Sequence, residues 1–381
     1  MLIGDTMNLK IAFIYGNWCL GNRPINVNEL FTSKRGLTGS ELSCFMFAKE
    51  MAKKGHNTSL FIGGGSGEWE GVKIRDISEI SSIDPTWDVA YSWNEPDLLR
   101  QVNANLRMMN QQLNDFAYCQ PGYDESVDVY TSPSQTHMEF LKPQTPSPNK
   151  WAVIPNGCDP SQYSAGKKVP GRVIYASSPD RGLHLLMQAW PRIKKNAPHA
   201  HLKIFYNMDY WLSVFVGQEH SIYPDSMEYG YRARYIDLAF KRFADLGVER
   251  VGSVSREEIA QEMSEAEVLA YPCDTARFTE GFSVTTMEAC AAGAVPVISS
   301  VDALGQIYGS FIPTVEAPVK NRLNEFADII SRSLNDEKFR NSVIFKAKSL
   351  AHKHKWEKLS SDLESLIMNK LELKRCSQPL I

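Results

Sequence analysis

Short runs of Val, Ile and Phe alternate with helical patterns from one end of this chain to the other, and that alternation confines it to α/β architecture with parallel sheets. The first unit opens on an apolar strand, Lys10 to Tyr15, and continues through a long loop into a helix. In that helix Cys44, Phe47, Ala48 and Met51 recur at i, i+3, i+4, i+7 spacing, which puts them on one face. Lys53, Lys54 and Gly55 end it well, because cations favour the last turn and glycine accepts the left-handed cap. His56 to Ile62 then reads as the next strand, with Asp88 to Ser92 and Val127 to Thr131 in the same sheet.

A second series begins at Arg172 to Ala176, behind which Leu183, Leu186, Met187 and Trp190 share one helical face before Pro191 disturbs it. His201 to Tyr206, Val248 to Gly252, Val268 to Tyr271 and Ala294 to Ser299 complete a second sheet. Between them Asn207 to Arg234 is rich in Tyr and Trp and shows no clean period. The polar stretch Ser161 to Gly171 reads as an interdomain linker. From Trp356 onward a helix places Leu359, Leu363, Leu366 and Ile367 on one side. The expected organisation is therefore two Rossmann-like domains, 1–165 and 166–355, and a terminal helix, 356–381. A chain of 381 residues, 43% hydrophobic, can fill two cores.

Bulk properties exclude several classes. A formal net charge of −3 argues against a nucleic-acid surface spread over the molecule. Seven cysteines with no Cys-x-x-Cys pair suit a reducing compartment, and the expected location is cytoplasmic. Asp5 and Lys10 interrupt the opening segment too early for a secretory signal, and Met7 is an alternative start. No run approaches the roughly 20 apolar residues of a membrane span. The basic stretch Lys346 to Lys358 reads as a solvated helix face, leaving at most a peripheral membrane contact. There is no Asp-x-Asp triplet, and the pairs His199/His201 and His352/His354 lack nearby ligands to complete a site, so no metal and no cofactor are expected.

The chemistry concentrates in Tyr271-Pro-Cys-Asp274, Thr279-Glu280-Gly281-Phe282-Ser283, Met287-Glu288-Ala289 and Gly293-Ala-Val-Pro-Val-Ile298. The grammar is strand, loop, helix, strand, with the helix starting near Ser283 and capped by Gly293. A helix start offers unpaired N–H groups and partial positive charge to phosphate. Glu280 beside that start is placed to accept sugar hydroxyls, and Glu288 on the second turn to clasp a ribose.

In these residues the chain resembles the family-four retaining glycosyltransferases of the GT-B fold, whose signature is Glu, seven residues, Glu, within Glu-Gly-Phe and Glu-Ala, followed by Gly-x-Pro-Val. The resemblance implies two Rossmann-like domains facing across a cleft, with the terminal helix crossing back to the first domain. It implies that Glu280 contacts the transferred sugar, that Glu288 contacts the ribose, and that backbone at Gly281, Phe282, Ser283, Val284 and Thr285 contacts sugar and diphosphate. Gly36-Leu-Thr-Gly39-Ser-Glu41 looks like the family's glycine loop; by itself it is a tight turn with an N-cap at Thr38 or Ser40. Ile154 to Asp159 looks like the turn closing the family's first domain. Ser177-Ser178-Pro-Asp-Arg181-Gly occupies the place of a two-cation diphosphate motif in which Arg181 matches the second cation and serine replaces the first. Gly252 and Ser253 match a segment near the nucleobase. A first-domain histidine has no counterpart: His137 reads as a surface residue of a helix. Asn17, Trp18, Trp93 and Asn94 follow strand ends and stand as acceptor-side residues, although packing explains the tryptophans equally well.

The implied activity is metal-independent transfer of a hexose, with retention, from a GDP- or UDP-sugar to a hydroxyl of a glycan or other acceptor. Glu280 and Arg181 would be its catalytic residues. The same fold also serves nucleotide-sugar epimerases, glycoside phosphorylases and inert nucleotide-sugar binders, and two glutamates alone would suit a glycosidase. A dinucleotide oxidoreductase is disfavoured because no Gly-x-Gly-x-x-Gly follows the first strand.

Overall fold

The computed structural model describes residues 8–16, 25–34, 36–81, 86–163, 166–275 and 277–377. The chain divides into two compact units, the first formed by the described residues of Met1–Leu30, Leu37–Gly157 and Trp356–Ile381, the second by Phe31–Gly36 and Cys158–Lys355.

The first unit is built from β1 (Lys10–Tyr15), α1 (Gly39–Lys53), β2 (Asn57–Ile62), β3 (Gly67–Trp69), β4 (Val72–Asp76), β5 (Trp87–Trp93), β6 (Ala104–Asn110), β7 (Val129–Ser132), α2 (Gln135–Leu141) and β8 (Trp151–Val153). Its sheet runs β3-β4-β2-β1-β5-β6-β7-β8. All pairings are parallel except β3 with β4. β1 is buried along nearly its whole length, as a central parallel strand covered on both faces must be. Order reverses between β1 and β5, so the loops leaving these two strands diverge at a switch point.

The second unit contains β9 (Arg172–Tyr175), α3 (Leu183–Asn196), β10 (His201–Ile204), α4 (Met208–Phe215), α5 (Pro224–Arg242), β11 (Val248–Arg250), α6 (Arg256–Glu265), β12 (Val268–Tyr271), α7 (Val284–Ala292), β13 (Val295–Ser299), α8 (Leu304–Tyr308), β14 (Thr314–Val315), α9 (Leu323–Asn335) and α10 (Glu337–Lys353). Its six strands are all parallel in the order β11-β10-β9-β12-β13-β14, and the switch point lies between β9 and β12. The chain ends in α11 (Trp356–Ser377), a helix of the first unit. Trp356 meets Phe47 of α1 edge to face at 5.3 Å, and Leu359, Leu363 and Ile367 are buried while Leu366 is half-buried. Among the described residues no helix is long and apolar enough to cross a membrane.

Two segments differ from the sequence expectation. α3 runs through Pro191 to Asn196, because Met187, Trp190 and Ile193 are fully buried on its inner face and Trp190 donates to the Leu246 carbonyl at 3.0 Å; packing outweighs the one backbone hydrogen bond that proline removes. Asn207 to Arg234 forms α4 and the first part of α5. Its period is blurred because Tyr210, Ile222, Tyr223 and Tyr231 remain exposed on the outside while Met208, Trp211, Leu212 and Ala233 fill the core.

Candidate active site

In the second unit the carboxyl edge of the sheet carries the residues that the sequence singles out, those after β9 and β12 at the switch point itself. The loop after β9 carries Ser177, Ser178 and Arg181; the loop after β12 carries Glu280, Gly281 and Phe282; Gly252 and Ser253 follow β11. Their strands are parallel, so all three loops leave the same carboxyl edge of the sheet.

Backbone geometry brings the first two loops together. Gly182 has φ +99, and a Cβ there would stand 1.9 Å from the Pro272 carbonyl oxygen, so only glycine lets the chains approach this closely. Arg232, nearly buried on α5, donates to the carbonyls of both Asp180 and Asp274 and pairs with the Asp274 carboxylate at 3.5 Å. Tyr175 donates to the Ser178 carbonyl at 2.7 Å. Asp302 completes the frame by accepting from the backbone N–H groups of Thr279 and Glu280, each at 2.9 Å.

Within that frame Arg181 Nη1 donates to Glu280 Oε2 at 2.9 Å, and the Tyr271 hydroxyl donates to the same oxygen. Ser177 Oγ donates to Tyr271 at 3.3 Å, which extends the network to the serine that replaces a cation. Glu280 is buried, whereas the Arg181 side chain keeps 32% of its surface exposed. A guanidinium has five N–H donors and this contact engages one of them, so Arg181 retains donors for an anion. The facing Glu280 holds the Arg181 charge even more firmly than usual, and burial together with neighbouring Cys273 and Glu280 pushes the Tyr271 phenol well up, so it stays a donor.

α7 begins here. Ser283, its N-cap, sits in the left-handed region at φ 65, a strained position for serine, and is held there by two bonds. Its Oγ accepts from Thr286 N–H at 3.3 Å, and Tyr308 donates to its carbonyl at 2.8 Å. Ser283, Val284 and Thr285 are half-buried, and Val284 and Thr285 lie in the first turn, where backbone N–H groups have no partner within the helix. Gly293 caps the other end at φ 67.

Glu288 lies on the second turn of α7 and is also met by an arginine. Arg256, first residue of α6, donates with both terminal nitrogens, through Nη2 to Oε1 and through Nη1 to Oε2, the latter at 3.3 Å. Tyr163 is buried beside this pair, and burial together with the Glu288 charge pushes its phenol well up. Burial opposes the Arg256 charge, but Glu288 and Tyr163 outweigh it. Gly252 has φ +95 with open space around its Cβ position, and Ser253 is exposed.

The remaining residues belong to the first unit. Gly39 is the first residue of α1, and its neighbour Thr38 is the N-cap in a reciprocal capping box with Glu41: Thr38 Oγ1 accepts from Glu41 N–H at 3.1 Å and Glu41 Oε2 from Thr38 N–H at 2.7 Å. Trp93 is fully buried, packed at tilted angles among Phe13, Phe47 and Tyr91 and donating to Ser43 at 2.8 Å, which makes it part of the core. Asn94, at φ 58, follows it at the switch point; its Oδ1 accepts from Gln112 N–H at 2.6 Å and its Nδ2 donates to Ser40 at 3.3 Å. Asn17 and Trp18 lie outside the described residues. His137 is not on the surface as expected: it is completely buried in α2, its Nε2 lies 3.2 Å from the Leu113 carbonyl, and burial lowers its pKa to about 4. Leu113 comes from a loop far back in the chain, which helical spacing cannot reveal.

Asp302, Arg256, Tyr163 and Arg232 are candidate site residues that the sequence does not reveal, and Tyr271, inside the stretch it singles out, gains a role only from its bond to Glu280; the others come from distant segments that only the fold unites. Among the described residues no group of three or more His, Cys, Asp or Glu side chains is placed to hold a metal ion.

Residues 173–350 match the family described as glycosyl transferases group 1. No curated protein matches the chain. Among solved structures it resembles AviGT4, a glycosyltransferase involved in avilamycin A biosynthesis, at 15% identity and TM-score 0.65, covering 96% of this chain and 98% of that one. It also resembles sucrose-phosphate synthase from Thermosynechococcus elongatus, at 13% identity and TM-score 0.67 over 96% and 100% of the two chains. A third likeness is to HepE of Anabaena in complex with UDP-glucose, at 13% identity and TM-score 0.63 over 95% and 100%. At these identities the likeness is one of fold. The match over the second unit and the paired parallel sheets lead to one conclusion: over residues 173–350 the chain carries a domain of the glycosyl transferases group 1 family, on the fold of the GT-B glycosyltransferases.

Proposed function

We propose that the chain is a retaining, metal-independent hexosyltransferase of family four that moves a sugar from a UDP- or GDP-sugar to a hydroxyl of a glycan or other acceptor. The observation that carries this reading is the Arg181–Glu280 pair beside the start of α7. It sets a cation with spare donors, a carboxylate and unpaired amides at one switch point, which is what a glycosyl diphosphate presents chemically: an anion to neutralise and hydroxyls to bind. The likeness to a protein solved with UDP-glucose supports a uridine or related donor.

In this mechanism the bond between the anomeric carbon and the phosphate oxygen breaks while the acceptor oxygen forms its bond on the same face. The acceptor proton passes to the departing phosphate. Positive charge on the sugar ring and negative charge on the diphosphate grow together. Arg181 and the first-turn amides of α7 stabilise the diphosphate, and Glu280 binds the sugar hydroxyls and faces the developing ring charge. Asp302 and Tyr271 fix Glu280 from behind. Gly39 and Asn94 of the first unit are proposed to lie on the glycine-loop and acceptor side, and Trp93 to support them from the core. The domain division proposed is 1–165, 166–355 and the terminal helix 356–381, with action in the cytoplasm.

A thermal-shift screen with UDP-, GDP- and ADP-sugars, followed by NMR of the transfer product, tests the reading. A ligand that binds only the folded state raises its stability, so one donor class should raise the melting temperature and give an α-linked product from an α-linked donor. Inversion at the anomeric carbon, or sugar release without an acceptor and without nucleotide, would contradict it.

A further inference from the structure

Large apolar side chains left in solvent are concentrated in one place. Of the eleven that are exposed among the described residues, eight fall between Tyr210 and Leu238 of the second unit. Scattered singly they would be ordinary surface; gathered, they mark a contact. Five of the eight sit on α5 or in its lead-in, where Ile222 is 88% and Tyr223 68% exposed.

Tyr223, Met227, Tyr231, Arg234, Leu238 and Arg242 follow one another at steps of four, four, three, four and four residues, so they form one exposed stripe along α5. The opposite face, with Arg232, Ala233, Ile236 and Ala239, is buried in the unit's own core. A third side is taken by the turn Gln218–His220, which lies so close that a Cβ on Gly230 would stand 2.2 Å from the Glu219 amide nitrogen. Beside the stripe Glu228 pairs with Arg232 and Asp237 with Lys241, each at 2.9 Å, so its rim is polar and neutralised.

We infer that α5 pairs antiparallel with α5 of a second copy of this chain, across a twofold axis that passes between Tyr231 and Arg234. A twofold contact requires a self-complementary surface, and the stripe is one. With the axis there, Tyr231 meets Arg234 of the other copy, Met227 meets its Leu238 and Tyr223 meets its Arg242, and symmetry makes each contact twice. A guanidinium stacks on a tyrosine ring, and methionine packs on leucine. Charge selects the same direction: the first half of α5 carries Asp225 and Glu228, the second Arg234, Lys241 and Arg242 against Asp237 alone. Antiparallel pairing lays one half over the other, whereas a parallel pair would set arginine on arginine. A bilayer is a poorer match, because Asn207 to Arg250 holds seven acidic and five basic side chains, a balance that anionic lipid does not attract. The pairing does not depend on the donor reading.

Sedimentation velocity of the full chain over a concentration series tests it. The wild type should pass from monomer to dimer by about 100 µM. Met227→Asp and Leu238→Asp, both at exposed side chains, should each weaken the dimer by about 30-fold or more, since each substitution enters the interface twice. Tyr231→Arg sets arginine against arginine and should weaken it likewise, and adding Arg234→Tyr should restore it, because the two positions then exchange roles. Melting establishes that each variant is folded, and the exchange decides the matter if an aspartate variant is not. A wild type that stays monomeric, a dimer indifferent to the aspartates, or an exchange that restores nothing would overturn the inference. So would Leu238-dependent sedimentation of the monomer with vesicles of phosphatidylcholine and phosphatidylserine, which would make the partner a membrane.

Discussion

Two glutamates eight positions apart are each paired with an arginine, yet the two pairs differ in what they leave over. Around Glu280 one Arg181 nitrogen is engaged and the side chain is 32% exposed; around Glu288 both terminal nitrogens of Arg256 are engaged and the side chain is 12% exposed. Arg181 stands on a loop at the switch point, whereas Arg256 is locked into a helix start. The same kind of ion pair is therefore open at Glu280 and closed, nearly buried, at Glu288. On the proposed function Arg181, the more exposed of the two and with one nitrogen engaged by Glu280, is the arginine left to meet a ligand.

Replacing the arginines should break this contrast most visibly. Arg256→Met strands a buried carboxylate and should cost about 3–5 kcal/mol in urea unfolding. Arg181→Met should cost less stability, because Arg181 is the more exposed arginine and Tyr271 still donates to Glu280, while transfer falls by roughly 10²- to 10³-fold. The reverse pattern would mean that the open and closed assignments are exchanged.

The carboxylates come next. Glu280→Gln should lower kcat by about 10²-fold or more, whereas Glu288→Gln should act on the donor KM by about tenfold and spare kcat. Equal effects on kcat would erase the distinction between sugar contact and ribose contact. The tyrosines give a smaller, sharper version of the same comparison. Tyr271→Phe removes a hydrogen bond to a charged group at the reacting end and should reduce kcat by about tenfold, while Tyr163→Phe leaves kcat unchanged.

Acid separates the two sets more gently. His184 in α3, just beyond Arg181, is kept neutral by burial and by the nearby Arg232 and Lys320 charges, with its pKa lowered from 6.5 to about 3. Its folded value lies below its unfolded value, so the unfolded chain binds the extra proton between them. Stability is fully present above about pH 6.5 and is lost as pH falls towards 3, at up to about 1.4 kcal/mol per pH unit. A His184→Phe variant should therefore show a smaller fall in melting temperature between about pH 6.5 and pH 4.5 than the wild type.

The alternation of strands and helices was legible because each buried parallel strand is a continuous apolar run, and β1, β9, β12 and α7 lie where the pattern places them. The edge strands β3 and β8 were not, because three exposed or half-buried residues make no pattern, and β6 hides behind the weak strand formers of Ala104–Asn110. Glu280, Glu288 and Arg181 could be found because their neighbours in sequence belong to the same local turn. Arg256 and Tyr163 could not, because an ordinary helix-start arginine and a tyrosine in a polar stretch acquire meaning only when α6 packs on α7. His137 and Pro191 mislead for a related reason: burial and packing, not local spacing, decide their state.

On the proposed function, Arg181 in the loop after β9 and the first turn of α7 together grip the diphosphate of an activated sugar. Titration calorimetry of the donor selected by the thermal-shift screen, on the wild type and on Arg181→Met, tests it most directly. Arg181→Met should weaken donor binding by about 2–5 kcal/mol in a protein that still folds and melts cooperatively. Undiminished donor affinity in that variant would contradict it.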